Sequence, residues 1–157
     1  AFIEEVSKVT KGISFCLFDL PQVVEKVNSL TFFENNNQFQ TIAGSFILDE
    51  IPTGFDVITL IRVLYDHNDD VVITLLKKVY DSLPINGRVI ISEPMSGGKN
   101  PIRSGDSYFG FYTMAMSTGR PRSPQEYEIF LKEVGFQTVK KHKGTQEFIT
   151  QVISAKK

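Results

Sequence analysis

The run from Phe55 to Gly98, FDVITLIRVLYDHNDDVVITLLKKVYDSLPINGRVIISEPMSGG, constrains the fold more than any other stretch. It reads as strand, helix, strand. Phe55 to Val63 is rich in β-branched residues and almost wholly apolar, the pattern of a strand buried on both faces. Asp66 to Asp70 (DHNDD) supplies side chains that accept from the free N–H groups of a helix start, and it places negative charge where the helix dipole favours it. Val72, Leu75, Leu76 and Val79 recur at helical spacing, with Lys77, Lys78 and Asp81 turned to water. Leu83-Pro84 and Asn86-Gly87 end the helix and turn the chain, and Arg88 to Ser92 forms a second buried strand. Parallel strands joined by a covering helix make a right-handed crossover, and ligands gather at the C-terminal ends of such strands. Those ends carry Arg62, Tyr65, Asp66, His67 and Glu93, the first candidates for function.

Ala1 to Thr10 has the spacing of an amphipathic helix, with Phe2, Val6 and Val9 on one face. Ile13 to Leu20 reads as a buried strand closing on Asp19, and Pro21 opens a helix at the position where its missing N–H costs nothing. Thr31 to Asn37 reads as a surface loop, and Gln38 to Ala43 as a short strand leading into Gly44-Ser45-Phe46. Ser96 to Ser107 has the Gly- and Ser-rich composition of a mobile loop. Tyr108 to Thr118 is a helix crowded with aromatics and methionines and ended by Gly119. Ser123, Pro124 and Glu126 spell a capped helix start, and Gly135 stops that helix. Phe136 to Lys143 and Glu147 to Ala155 alternate as two strands of an antiparallel hairpin turning at Lys143-Gly144-Thr145. With no internal repeat and no linker, residues 1–157 are expected to form one α/β domain.

The formal net charge of -1 gives no bulk attraction to nucleic acid or to an anionic membrane. A single cysteine, Cys16, excludes a disulfide within the chain and points to a reducing, cytoplasmic setting. No apolar run reaches the ~18 residues of a membrane-spanning helix, and no signal peptide is visible. Two histidines and one cysteine at these separations give no metal site. The chain opens directly in a helical pattern with no initiator Met, and we read it as a fragment.

Five segments in order, FDLP (Phe18 to Pro21), AGSF (Ala43 to Phe46), LIRVLYDHNDD (Leu60 to Asp70), LPINGRVIISEPM (Leu83 to Met95) and Gly135-Phe136, resemble the S-adenosylmethionine-dependent O-methyltransferases that carry a separate N-terminal dimerisation domain. EPMSGG followed by GDSYFGFYTMAMSTGRPRS (Gly105 to Ser123) is most similar to the bacterial carotenoid hydroxyneurosporene O-methyltransferase group and its bacteriochlorophyll-modifying relatives. The resemblance implies a Rossmann-like class I methyltransferase fold: a mostly parallel sheet with a C-terminal antiparallel hairpin. It also implies that the first strand, the glycine-rich cofactor loop and the dimerisation domain lie outside this chain. Two inner strands are then expected to lack a neighbour, and the full-length protein to be a homodimer through the missing domain. The cofactor implied is S-adenosylmethionine, and the partner a hydrophobic small molecule.

The resemblance also assigns roles. Asp19, followed by Leu20, is implied to accept hydrogen bonds from the ribose hydroxyls; the plainer reading is a helix cap before Pro21. Gly44, Ser45 and Phe46 fall where the family meets the adenine, with Ser in place of the usual Asp. Arg62 falls where a Lys often lies beside the adenine pocket, though a surface ion pair explains it equally. Methyl transfer to a hydroxyl is helped by a base, and His67 has a suitable pKa. The family order His–Asp is reversed here as Asp66-His67, so both remain candidates. Glu93 matches the acidic residue that orients the base, while the second acidic partner would fall near Pro121 and is absent. Met95, Phe111, Tyr112 and Met114 are candidates for an acceptor pocket suited to a polyene or tetrapyrrole, against core packing. Arg120 and Arg122 read most simply as solvated surface. O-methylation of a carotenoid or other pigment precursor is the leading activity. The alternatives are C-methylation of a bacteriochlorophyll-type tetrapyrrole or a non-catalytic module of the same fold; a Rossmann dehydrogenase fits the chain order after Glu93 less well.

Overall fold

The computed structural model describes residues 2–30, 38–144 and 149–157. The loop expected over Thr31 to Asn37, and the Thr145 end of the hairpin turn with the first residues of the strand after it, lie outside the described residues. The elements run α1 (Phe2–Val9), β1 (Phe15–Asp19), α2 (Pro21–Asn28), β2 (Phe39–Ala43), β3 (Val57–Ile61), α3 (Asp69–Ser82), β4 (Arg88–Glu93), α4 (Phe109–Met116), α5 (Pro124–Val134), β5 (Gln137–His142) and β6 (Gln151–Lys156). A single 3-10 turn spans Leu64–Asp66, and a wider π-type turn spans Arg103–Tyr108 ahead of α4. The residues cluster into two compact units, Ala1–Pro52 and Thr53–Lys157.

In the first unit β1 and β2 pair in parallel, Phe15 opposite Phe39 and Asp19 opposite Ala43. Pro21 opens α2, and Val24 is its buried residue. α1 buries none of its side chains.

In the second unit the sheet order is β3-β4-β6-β5. β3 and β4 are parallel, and β6 runs antiparallel to both β4 and β5. The sheet is therefore mixed, with its antiparallel pair on the side away from β3. α3 carries Val72, Leu75, Leu76 and Val79 on its buried stripe, at the positions expected from their spacing. Asn68 caps it, its side-chain oxygen accepting from the Val71 N–H at 3.1 Å. Among the DHNDD residues it is therefore Asn68, not Asp66, that caps the helix. At the other end of α3 the Lys157 ammonium donates to the carbonyls of Tyr80 and Leu83, both at 2.7 Å, satisfying groups the helix leaves unpaired. The Ser123–Glu126 capping box and the Gly135 stop of α5 are as the sequence predicts.

Three expectations are corrected. β3 is not buried on both faces: Val57 and Thr59, which share one face, are exposed, while Leu60 on the other face is buried. Among the described residues β1, β2, β3 and β5 each have a strand neighbour on one side only. β3 also ends at Ile61 rather than Val63, since Arg62 takes φ 55 and breaks the extended run. Finally, α4 ends at Met116, where Ser117 adopts the left-handed cap at φ 58, and Gly119 is used elsewhere.

Candidate active site

In the first unit the candidate residues meet at the C-terminal ends of two adjacent parallel strands. The Gly44 N–H donates to the Asp19 carbonyl at 2.9 Å, which carries the chain out of β2 beside the end of β1. One Asp19 carboxylate oxygen accepts from the Leu20 N–H at 2.7 Å. Among the described residues no other donor reaches that side chain, which is half-buried. After Gly44 the chain closes a turn in which the Ser45 N–H donates to the Asp49 carboxylate at 2.8 Å and the Asp49 N–H to the Ser45 carbonyl at 2.7 Å. A Cβ on Gly44 would overlap the Phe18 ring, so glycine permits this close pass. Asp49 is the residue that sequence reasoning missed here. Its only signal is a position four residues after Ser45, which lets its carboxylate fold back on that amide. The N–H groups of Gly44, Ser45, Ile47, Leu48 and Asp49 are all engaged within this turn, so the acceptor chemistry at this strand end comes from the Asp19 carboxylate, the group type that pairs with a nucleoside diol.

In the second unit Arg62, Asp66, His67 and Glu93 are gathered around one short segment. Arg62 leaves β3 with its N–H on the Ser92 carbonyl at 2.9 Å. Its guanidinium lies over the Tyr65 ring at 5.7 Å and the Phe109 ring at 5.4 Å from the centroids. Tyr65 in turn stacks against Phe109 and Tyr112, at centroid distances of 5.9 and 6.0 Å. The positive φ of a non-glycine residue at a strand end is a strained conformation of the kind that collects at ligand sites.

Glu93 is 0% exposed at the end of β4. Its Oε1 accepts from the N–H groups of Val63 and Leu64 at 2.8 and 2.9 Å, while its Oε2 is buried with no hydrogen-bond partner among the described residues. Burial pushes its carboxyl up to about 7, and these backbone donors only partly offset that. The Tyr127 hydroxyl is likewise buried with no hydrogen-bond partner among the described residues, and burial pushes its phenol up. Burial raises Asp66 as well, although His67 and Arg62 pull the other way.

Arg122 corrects the expectation of solvated surface: it is 0% exposed. Its Nη1 donates to the Leu64 carbonyl at 2.9 Å and its Nη2 to the His67 carbonyl at 2.7 Å. Its Nε and Nη2 both reach one Asp69 carboxylate oxygen, at 2.8 and 2.6 Å. Arg120 is half-exposed and bridges the other Asp69 oxygen at 2.9 Å to Glu126 at 2.6 Å. Burial raises the Asp69 carboxyl, but the two guanidiniums outweigh it and leave Asp69 below its ordinary value. Sequence reasoning missed this network because its members lie more than fifty residues apart, Asp69 against Arg120 and Arg122. The one hint is a charged residue immediately before the Ser123 cap, where an apolar one is usual.

The acceptor-pocket candidates separate. Phe111, Tyr112 and Met114 are exposed at 69%, 40% and 71%, so core packing does not account for them. Met95, by contrast, is 1% exposed.

A mixed α/β architecture with polar groups collected at the ends of its parallel strands is that of a class I methyltransferase. Residues 1–137 match the model of the O-methyltransferase domain family, and the chain belongs to that family. It is 48% identical over 157 residues to a demethylspheroidene O-methyltransferase of Rhodobacter capsulatus, covering 100% of this chain and 39% of that protein. It is 41% identical over 156 residues to the demethylspheroidene O-methyltransferase of Cereibacter sphaeroides, covering 99% of this chain and 41% of that protein. The chain thus spans about two fifths of the length of these relatives. Among solved structures, human N-acetylserotonin methyltransferase in complex with SAM superposes with a TM-score of 0.87 at 24% identity, over 99% of this chain and 44% of that one. PigF with SAH gives 0.82 at 24% identity, over 99% and 46%.

Proposed function

We propose that the protein to which this chain belongs transfers a methyl group from S-adenosylmethionine to a hydroxyl of a hydrophobic small molecule, a carotenoid of the demethylspheroidene kind. The observation that carries this reading is the 48% identity to a demethylspheroidene O-methyltransferase, sustained over all 157 residues. The exposed Phe111, Tyr112 and Met114 support an apolar acceptor. Neither tetrapyrrole C-methylation nor a non-catalytic module gains support from the relatives. A cytoplasmic location and pairing through an N-terminal domain belong to the same proposal.

S-adenosylmethionine, when bound, would supply an electrophilic sulfonium methyl: the hydroxyl oxygen would bond to that carbon as its C–S bond broke, with S-adenosylhomocysteine as the leaving group. Asp19 accepts from the ribose hydroxyls through its carboxylate. Leu20 and the Gly44-Ser45-Phe46 turn border the base. Arg62, in the second unit, has its cation held against Tyr65 and Phe109 beside the segment that carries Asp66 and His67. His67 or Asp66 takes the proton released by the hydroxyl. Glu93 serves that step by holding the N–H groups of the segment that carries both.

In the full-length protein Asp19→Ala is expected to weaken S-adenosylhomocysteine binding by about 10- to 100-fold, the scale of hydrogen bonds to a charged acceptor. Calorimetric titration measures this, and an unchanged affinity would remove Asp19 from the site. Turnover of demethylspheroidene is expected to fall at least about tenfold in His67→Ala or in Asp66→Ala. If both variants retain full turnover, general-base O-methylation is wrong.

A further inference from the structure

We propose that Arg122 is a positioning residue: its buried guanidinium fixes the direction in which the Asp66–His67 pair is presented, and it acts on proton removal rather than on cofactor binding. This rests on the reading above that one of the pair is the base.

Every nitrogen of the planar Arg122 fork is engaged: Nε on Asp69, Nη1 on the Leu64 and Arg120 carbonyls, Nη2 on the His67 carbonyl and on Asp69. Taking a charge wholly out of water is costly, and a surface loop does not need it. The acceptors explain what the charge is for. Leu64 and His67 bracket the 3-10 turn that contains Tyr65 and Asp66, and Asp69 opens α3 just beyond. One rigid plane therefore fixes the spacing between the entrance and exit of the segment and ties both to a helix end. Glu93 holds the same segment from its amide side, through Val63 and Leu64.

The pair is thus carried on backbone clamped by donors on one side and an acceptor on the other. Side-chain direction follows backbone direction, so the clamp decides where Asp66 and His67 point. A lysine reaches one or two of these acceptors from a single point but cannot hold two carbonyls and a carboxylate in one plane. The outer partner of Asp69, Arg120, joins the α5 capping box through Glu126, so the clamp is braced against a helix start.

The test uses full-length protein with Arg122→Lys and, since that variant risks misfolding, Asp69→Asn. The Asp69 side chain is 43% exposed, and Asn there keeps an acceptor for Arg122 while loosening the fork. Turnover of demethylspheroidene is normalised to the number of S-adenosylhomocysteine sites measured by calorimetry, which removes any unfolded fraction. Expected is a fall in kcat per site of about twentyfold for Arg122→Lys and about fivefold for Asp69→Asn, with the Kd for S-adenosylhomocysteine within about twofold. The His67 ring proton resonance, assigned by its loss in His67→Gln, is expected to shift in both variants. Unchanged kcat per site, parallel loss of kcat and cofactor affinity, or an unmoved His67 resonance would each overturn the proposal. If the resonance shifts while His67→Ala and Asp66→Ala turn over normally, the base assignment falls, and with it the link from Arg122 to proton removal, while its hold on the segment stands.

Discussion

Glu93→Gln is expected to flatten a loss of stability of about 3 kcal/mol that the parent protein suffers between about pH 4.5 and pH 7. The carboxyl stands at about 7 when folded, against an ordinary value of 4.5. In that window the folded state holds the proton more tightly than the unfolded state does. The contribution is therefore complete below the unfolded value and is lost as pH rises through the folded one. Gln is neutral throughout, and its amide oxygen still accepts from Val63 and Leu64, so the two structural hydrogen bonds survive the exchange. Urea midpoints measured at intervals from about pH 5 to pH 8 read the effect. The two proteins converge at the acid end, and Glu93→Gln becomes the more stable at the alkaline end. Parallel profiles would mean that Glu93 is ionised at little cost.

Gly119→Ala is expected to destabilise by about 3 kcal/mol and to depress methyl transfer. Gly119 sits at φ 73, and a Cβ there would overlap the Tyr65 carbonyl oxygen and stand 2.5 Å from the Asp66 carbonyl carbon. These are backbone atoms of the segment that Glu93 and Arg122 hold, and the Thr118 hydroxyl adds a bond to the Asp66 carbonyl at 3.1 Å. The obstruction therefore cannot relax by turning a side chain; the segment itself must move. Gly110→Ala is the contrasting case. Gly110 lies in α4 with open space where a Cβ would stand, and Ala there gains up to about 1 kcal/mol. Thermal unfolding of the two variants separates these outcomes, and equal midpoints would contradict the close approach at Gly119.

Where local chemistry and fold agree, the sequence is readable. The α3 stripe, the Pro21 start, the Ser123–Glu126 box and the antiparallel pairing of the last two strands follow from spacing and capping alone. The candidates at the strand ends follow from the βαβ pattern and the family resemblance together. Arg122 does not, because a buried charge is defined by partners that only the tertiary fold brings near, and a lone Arg in a Pro-containing loop reads as solvent-facing. The early end of β3 is hidden for a related reason: nothing in IRVL signals that Arg62 turns to positive φ. The exposed face of α4 is half legible. Its aromatic and thioether composition is plain, but whether it meets core, ligand or water depends on what packs against it.

β3, at one edge of its four-stranded sheet, presents a bare row of amide and carbonyl groups along one side among the described residues. Such a row is a template on which extended segments of other molecules align. Prepared as these 157 residues by themselves, the polypeptide would hold out an adhesive border along the largely apolar sequence VITLI, and its solubility would depend on how that border is covered.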